Sequence, residues 1–293
     1  MFTKLLLQSG LTPAQIFTLR FIIAYILLLA YSLFTNHSSL FTNHFLLFTS
    51  SWRDELLMVA LGITGGSVYF LAENAAMLYT TATNTSLIVC SCPLFAMLLV
   101  AVVYRHSEHI TKAQALGSIV ACMGMAIVVL NGHFVLHLSP LGDMLAFAAC
   151  LCWAFYSLIM KKVVERYSSL FITRKVFFYG LLTIIPYYLL RPSEATLFTI
   201  HSSLITIHYS LFTLPVVLNL LFLGIVASML CYLLWNWVIS KLGAVVATNW
   251  VYFNPITTIF FAWWLLHEQI TLWFLLGTIL ILLGMYFADK RQK

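Results

Sequence analysis

Charge is what this chain has least of. Only 8% of its 293 residues are Asp, Glu, Lys or Arg, against roughly a quarter in an ordinary soluble domain, and 62% are hydrophobic. A soluble domain of this length cannot hide nearly two residues in three from water. Lipid is therefore the solvent. Cysteine is scarce too: Cys90, Cys92, Cys122, Cys150, Cys152 and Cys231 all sit in apolar runs. Residues two apart on a helix face different ways, so the pairs 90/92 and 150/152 suit neither a zinc site nor a redox motif. The nine histidines fall in or beside loops, where interfacial imidazoles are expected rather than metal ligands. His267-Glu268 has no second histidine at the spacing of a metalloprotease helix, the apolar runs hold no aspartate dyad, and there is no glycine-rich phosphate loop. Nothing in the sequence calls for a metal or a cofactor. Met1 to Gly10 holds only a brief apolar stretch, which does not read as a signal peptide.

What is present is a series of apolar runs long enough to cross a bilayer, about 20 residues each. Nine are expected, near 14–34, 56–79, 84–104, 113–131, 140–160, 173–190, 215–239, 245–266 and 270–287. All must be helices, because lipid offers no partner to backbone polar groups. The fold class is thus an all-α integral membrane bundle. The formal charge of +6 would suggest nucleic acid in a soluble chain, but here the Lys and Arg residues punctuate apolar runs and report topology instead. Arg53, Arg105, Lys112, Lys161, Lys162, Arg166, Arg174, Lys175 and Lys241 fall on one side with the tail residues Lys290, Arg291 and Lys293. A cytoplasmic C-terminus follows, and with nine spans an external N-terminus.

The halves of the chain resemble one another. Leu61-Gly62-Ile63 matches Leu223-Gly224-Ile225, Asn74 matches Asn236, Ala82 matches Ala244 and Pro93 matches Pro255, all at an offset of 162; Ile110-Thr111, Gly117 and Gly124 match Ile270-Thr271, Gly277 and Gly284 at an offset of 160. Five crossings separate each segment from its copy, so the copies should run in opposite directions through the membrane. The repeats are expected at 1–131 and 139–289. The span at 140–160 has no counterpart in the first repeat, and Phe2-Thr3-Lys4-Leu5-Leu6 resembles the helix end Leu158-Ile159-Met160-Lys161-Lys162. The expectation is a five-plus-five plan that lacks most of its first helix here, with a late start at Met1; a nine-helix form is the alternative.

Gly142-Asp143 followed by Trp153-Ala154-Phe155-Tyr156, Tyr79-Thr80-Thr81-Ala82 leading to Pro93, and His267-Glu268-Gln269-Ile270-Thr271 leading to Gly277 and Gly284 resemble EamA-type members of the drug/metabolite transporter superfamily. The resemblance implies a ten-helix fold with both termini cytoplasmic, a central cavity between inverted halves, and movement of small metabolites, commonly export. It places Trp153, Tyr156, Trp235, Asn236, Asn249, Trp250 and Tyr252 in helices around that cavity. The location implied is a bacterial inner membrane.

Among the residues themselves, Glu73 stands out as the ionisable group deepest in an apolar run, beside Asn74. An ionisable side chain in lipid is costly and is a functional candidate by default. Two readings stand: a proton-coupling or amine-binding carboxylate, or a protonated glutamate bonded to a neighbouring helix. Arg20 reads as a side chain reaching back to the interface, with a substrate-carboxylate role as the alternative. Pro93 and Pro255 are expected to kink their helices and to serve as hinges, whereas the glycine pairs at 117/124 and 277/284 permit close helix packing. The function expected is secondary transport, in the export direction, of amino acids, amines or drug-like solutes by alternating access between the inverted repeats, with the lipid bilayer and a small-molecule substrate as partners and with proton coupling. Nucleotide-sugar or sugar-phosphate transport is the alternative, followed by an intramembrane enzyme or a structural subunit. Anionic sugars need buried Lys or Arg, of which the sequence offers little beyond Arg20.

Overall fold

The computed structural model describes residues 2–35, 49, 51–80, 85, 88–104, 111–130, 139–197, 213–254, 256–257 and 271–289. Every element among them is helical. In chain order they are α1 (Phe2–Gln8), α2 (Pro13–Thr35), α3 (Trp52–Tyr79), α4 (Cys92–Val103), α5 (Lys112–Leu130), α6 (Pro140–Val163), α7 (Ser169–Thr183), α8 (Ile185–Leu190), α9 (Leu214–Leu242), α10 (Ala244–Asn249) and α11 (Leu272–Asp289). Two 3₁₀ segments accompany them: Pro192–Leu197, after α8, and Trp250–Phe253, which continues α10. Five stretches are long and apolar enough to span a membrane: Pro13–Ser32, Trp52–Tyr79, Pro140–Val163, Ser169–Leu190 and Leu214–Leu242. Four shorter apolar helices accompany them.

Two long helices share an irregularity. In α3 the segment Ile63–Ser67 widens to a π-helical turn, and Gly66 leaves helical geometry at φ −126 and ψ −105. In α9 the segment Phe222–Leu230 is π-helical. Shifted by the repeat offset, 63–67 falls on 225–229, inside the second π segment, so both copies carry the deformation at one place. Single π turns concentrate at functional positions in helices.

The chain folds as two compact units that cut across the sequence repeats: Met1–Asn74 with Lys162–Ser240, and Ala75–Lys161 with Lys241–Lys293. The first unit contains α1, α2, most of α3, α7, α8 and α9. Gly62 of α3 lies against Tyr179 and Gly180 of α7, where an added Cβ would stand 2.9 Å from the Gly180 nitrogen. Its repeat mate Gly224 lies against α2, an added Cβ standing 2.8 Å from the Ile23 Cβ. Each copy of the kinked helix therefore packs on the opposite copy of the preceding one. The aromatic centre of this unit is Phe17, Phe21, Phe70, Phe177 and Tyr232, with Phe21 edge-on to Phe70 at 5.4 Å and to Phe177 at 4.7 Å.

At the mouth of this unit the first turn of α3 carries Asp54 and Glu55, where carboxylates complement the positive end of a helix. Asp54 accepts from Arg166 at 2.9 Å and from the Tyr167 hydroxyl at 3.0 Å. Glu55 accepts from Lys175, from the Tyr179 hydroxyl and, at 2.7 Å, from the Thr49 amide. Helix α7 begins at Ser169, with the Ser168 hydroxyl capping it at Phe171. Arg174 and Lys175, expected among the cytoplasmic loop charges at the very start of a span at 173–190, thus lie well inside the helix and are buried. Their charges look like loop residues in a hydropathy window; Lys175 is neutralised by Glu55 from another part of the chain.

The second unit contains α4, α5, α6, α10 and α11. Its backbone is the α5–α11 pair. An added Cβ at Gly117 would stand 2.6 Å from the Gly284 carbonyl oxygen, and one at Gly124 would stand 2.7 Å from the Gly277 oxygen. Glycines that correspond in sequence are Gly117 with Gly277 and Gly124 with Gly284, yet the contacts are crosswise. The helices are therefore antiparallel copies related by a local two-fold axis, as inverted repeats require. Gly142 of α6 approaches Thr80 closely, and Asp143 accepts from the Thr80 hydroxyl at 3.0 Å and from the Ser139 amide at 3.1 Å. The Gly-Asp pair at the start of α6 is accordingly a packing and capping device.

Pro93 lies in the first turn of α4, behind a turn at Cys90–Ser91, rather than in the middle of a helix. There its missing N–H has no helical partner to lose, so the expected mid-helix kink is a helix start instead. Pro255 lies outside the described residues.

Candidate functional site

Four of the singled-out residues belong to the first unit and five to the second. In the first, Asn74 and Asn236 are buried and serve equivalent contacts: Asn74 donates to the Pro13 carbonyl of α2 at 3.3 Å, and Asn236 donates to the Thr173 hydroxyl of α7 at 2.8 Å. Helices α2 and α7 correspond in the repeat, so the paired amides tie each copy of one helix to a copy of the other. Glu73, half-buried, accepts from the Tyr69 hydroxyl at 3.1 Å across one turn of its own helix. Trp235 is half-buried on α9.

In the second unit Trp153 and Tyr156 stack at 5.2 Å, with Tyr156 fully buried. Tyr252 is also fully buried, in a core with Cys90, Ala121, Met125 and Ile281. It is a core residue, not a cavity wall. Asn249 is buried and accepts from the Ser118 hydroxyl at 3.1 Å. It lines a cavity of about 220 Å³ with Val246, Trp250, Leu282, Met285 and Tyr286, and Trp250 is 51% exposed. Cys90, Cys92 and Cys150 are buried and all six cysteines are free thiols, in keeping with small hydrophobes. No group of three His, Cys, Asp or Glu residues among the described ones could hold a metal.

The polar centre of the first unit gathers Arg20, singled out in the sequence, with Phe70, Ser228 and Tyr232, which were not. Arg20 of α2 is only 5% exposed. Its Nε donates to the Ser228 hydroxyl at 2.8 Å, within the π segment of α9, and its guanidinium lies 4.4 Å over the Phe70 ring. The expectation that it reaches back to the interface is corrected: an aromatic face and a hydroxyl from two other helices hold it inward. Phe70 is three residues before Glu73, hence on the same helix face. The Tyr232 hydroxyl, one turn beyond Ser228, donates to the Gly65 carbonyl, within the π segment of α3. Both deformed turns thus contribute polar groups to one region: Ser228 to the arginine, and a carbonyl to the tyrosine. The repeat offset pairs Gly66 with Ser228, and that was the available signal for this site.

A buried guanidinium, a carboxylate one turn from the ring it stacks on, and widened helical turns form a polar interior in a bundle that is otherwise apolar. Such an interior is what passage of a polar solute through lipid requires. The EamA-like transporter family matches residues 1–130 and again residues 140–288. The chain belongs to that family. It is an all-helical integral membrane protein of the EamA-like transporter class. It is similar to an "Uncharacterized transporter" of Archaeoglobus fulgidus, 25% identical over 82% of this chain and 80% of that protein. It is likewise similar to a "Probable terminal-alkyne amino-acid exporter" of Streptantibioticus cattleyicolor, 25% identical over 81% of this chain and 74% of that one. A protein of known crystal structure shares the fold with a TM-score of 0.69 at 17% identity, covering 98% of this chain and 92% of its own.

Proposed function

We propose that this EamA-like protein exports small organic metabolites by alternating access, with Glu73 as the carboxylate that couples transport to protons. The observation that carries the reading is the Arg20–Phe70–Glu73 arrangement beside two π-widened turns. Helices loosened at equivalent points of inverted repeats can bend against one another in mirror-image fashion, which is the motion alternating access needs. Export as the direction draws on the exporter from Streptantibioticus cattleyicolor. The repeats at 1–131 and 139–289 are the units that would exchange roles. The setting is a bacterial inner membrane, as the family resemblance implies, with the C-terminus in the cytoplasm, as the Lys and Arg distribution supports. The cargo reaches the protein as a free small molecule; no nucleic acid partner is involved.

Of the buried cations, Lys175 is engaged by Glu55 and Arg20 is held by Ser228. Sugar phosphates, which want several free cationic groups, are therefore a poorer fit than neutral, zwitterionic or cationic cargo. The test is solute flux in proteoliposomes containing the purified full chain, with and without a proton gradient, over amino acids, amines and sugar phosphates. Gradient-driven flux of an amino acid or amine is the expected result; absence of flux from folded, monodisperse protein would sink the proposal.

A further inference from the structure

Arg20 and Glu73 leave their opposite charges only partly answered. A guanidinium has five N–H donors, and of those on Arg20 the structure commits only Nε, to Ser228. On Glu73, Oε1 accepts from Tyr69, and Oε2 has no hydrogen-bond partner among the described residues. The two groups lie close enough to act on one another electrostatically. Yet the ion pairs among the described residues are Asp54–Arg166, Glu55–Lys175 and Arg191–Glu194, and this is not one of them. Phe70 sets the spacing: the guanidinium rests on its ring, and Glu73 follows one turn later on the same face. Phe17 and Phe21 back Phe70 at centroid distances of 5.9 and 5.4 Å, so one wall is apolar and aromatic.

A guanidinium and a carboxyl group in a low-dielectric interior without an ion-pair contact among the described residues are expensive. A solute with a single charge would satisfy one and leave the other. We infer that Arg20 and Glu73 are the two poles of a site that reads both charges of a zwitterion, the guanidinium taking a carboxylate and the Glu73 carboxylate taking an ammonium. Guanidinium and carboxylate match in a planar, two-bond geometry, and the ring of Phe70 keeps the arginine from turning away. This assignment rests on the transport reading above and narrows its cargo to molecules with an α-amino-acid head and an apolar or aromatic body. Arg20 and Glu73 are then specificity residues. Ser228 positions the arginine through its hydroxyl.

The experiment uses the full chain in proteoliposomes and three matched probes: L-phenylalanine, phenethylamine, which lacks the carboxylate, and N-acetyl-L-phenylalanine, which lacks the ammonium. The leucine series is run in parallel. The wild type is expected to carry the zwitterion at least tenfold better than either analogue, since a site built around polar partners rejects a molecule that lacks one. Arg20→Gln should bring the amine level with the zwitterion, and Glu73→Gln should do the same for the N-acetyl compound. Arg20→Lys should restore the preference in part, which separates a charge-reading role from a folding defect. Equal carriage of all three probes by the wild type would overturn the two-pole site while leaving the transport reading intact. So would variants in which the preference stays unchanged. Failure of every solute, sugar phosphates included, would overturn the transport reading and this inference with it.

Discussion

Gly117 of α5 and Gly284 of α11 meet backbone to backbone: a Cβ placed on Gly117 would stand 2.6 Å from the Gly284 carbonyl oxygen. No side chain can yield there, because the obstacle is main chain. Gly117→Ala or Gly284→Ala should each separate the two helices and destabilise the protein by about 1–3 kcal/mol. The double substitution should cost less than the sum, since the helices move apart once for both. Thermal unfolding of the detergent-solubilised variants measures this, and strict additivity would argue against a shared contact.

Gly243 gives a contrasting case. It joins α9 to α10 at φ +84 with no atom within 4 Å of where a Cβ would sit. Gly243→Ala should therefore be unfavourable through backbone conformation alone, by roughly 1–2 kcal/mol. Gly243→Asn should cost about as much, because ψ 162 takes the residue out of the left-handed helical region that asparagine tolerates and into one that glycine alone occupies readily. Equal melting temperatures for wild type and the alanine variant would show that the turn adapts.

Glu55 and Lys175 form a pair in which both side chains are nearly sealed, at 8% and 5% exposure, whereas Arg166 beside Asp54 is 55% exposed. Removing one partner of the sealed pair strands a charge, so Glu55→Gln or Lys175→Met should cost about 3–5 kcal/mol, with the double Glu55→Leu/Lys175→Met recovering much of it. Arg166→Ala should cost no more than about 1 kcal/mol. Chemical denaturation in mixed micelles ranks the four, and a larger loss for Arg166 than for Lys175 would contradict the burial argument.

Glu73→Gln keeps shape and removes the ionisable group. The variant should fold with an unchanged melting temperature while its transport rate loses its dependence on pH over the range in which the wild-type rate varies. Flux measured across that range checks it; a pH profile identical to wild type would remove Glu73 from the coupling role.

Much of this architecture was legible because it rests on periodic, chain-wide signals. Apolar runs announce helices in lipid, and a fixed offset announces duplication. The packing role of Gly117, Gly124, Gly277 and Gly284 followed from their spacing, and the structure places all four at one helix contact. The less legible features are single side chains whose meaning depends on a partner remote in sequence. Arg20 looks like a residue bound for the interface until Ser228, some 208 positions away, is seen to hold it. Lys175 looks like a loop charge until Glu55, 120 positions away, is seen to meet it. Tyr252 was placed in a cavity wall by resemblance, yet neighbours drawn from α5 and α11 enclose it. Hydropathy reports how much of a helix is apolar and is silent on which face a lone polar residue takes.

A π turn also sets rotational phase. An extra residue in one turn advances everything after it by about 100° relative to a regular α-helix, so Ile63–Ser67 fixes the direction in which the second half of α3 looks. Deleting one residue there would leave the length and apolarity of the span almost untouched. It would nonetheless swing Phe70 out from beneath Arg20 and carry Glu73 and Asn74 away with it, disconnecting the ionisable centre from its partners without altering any of the residues that compose it.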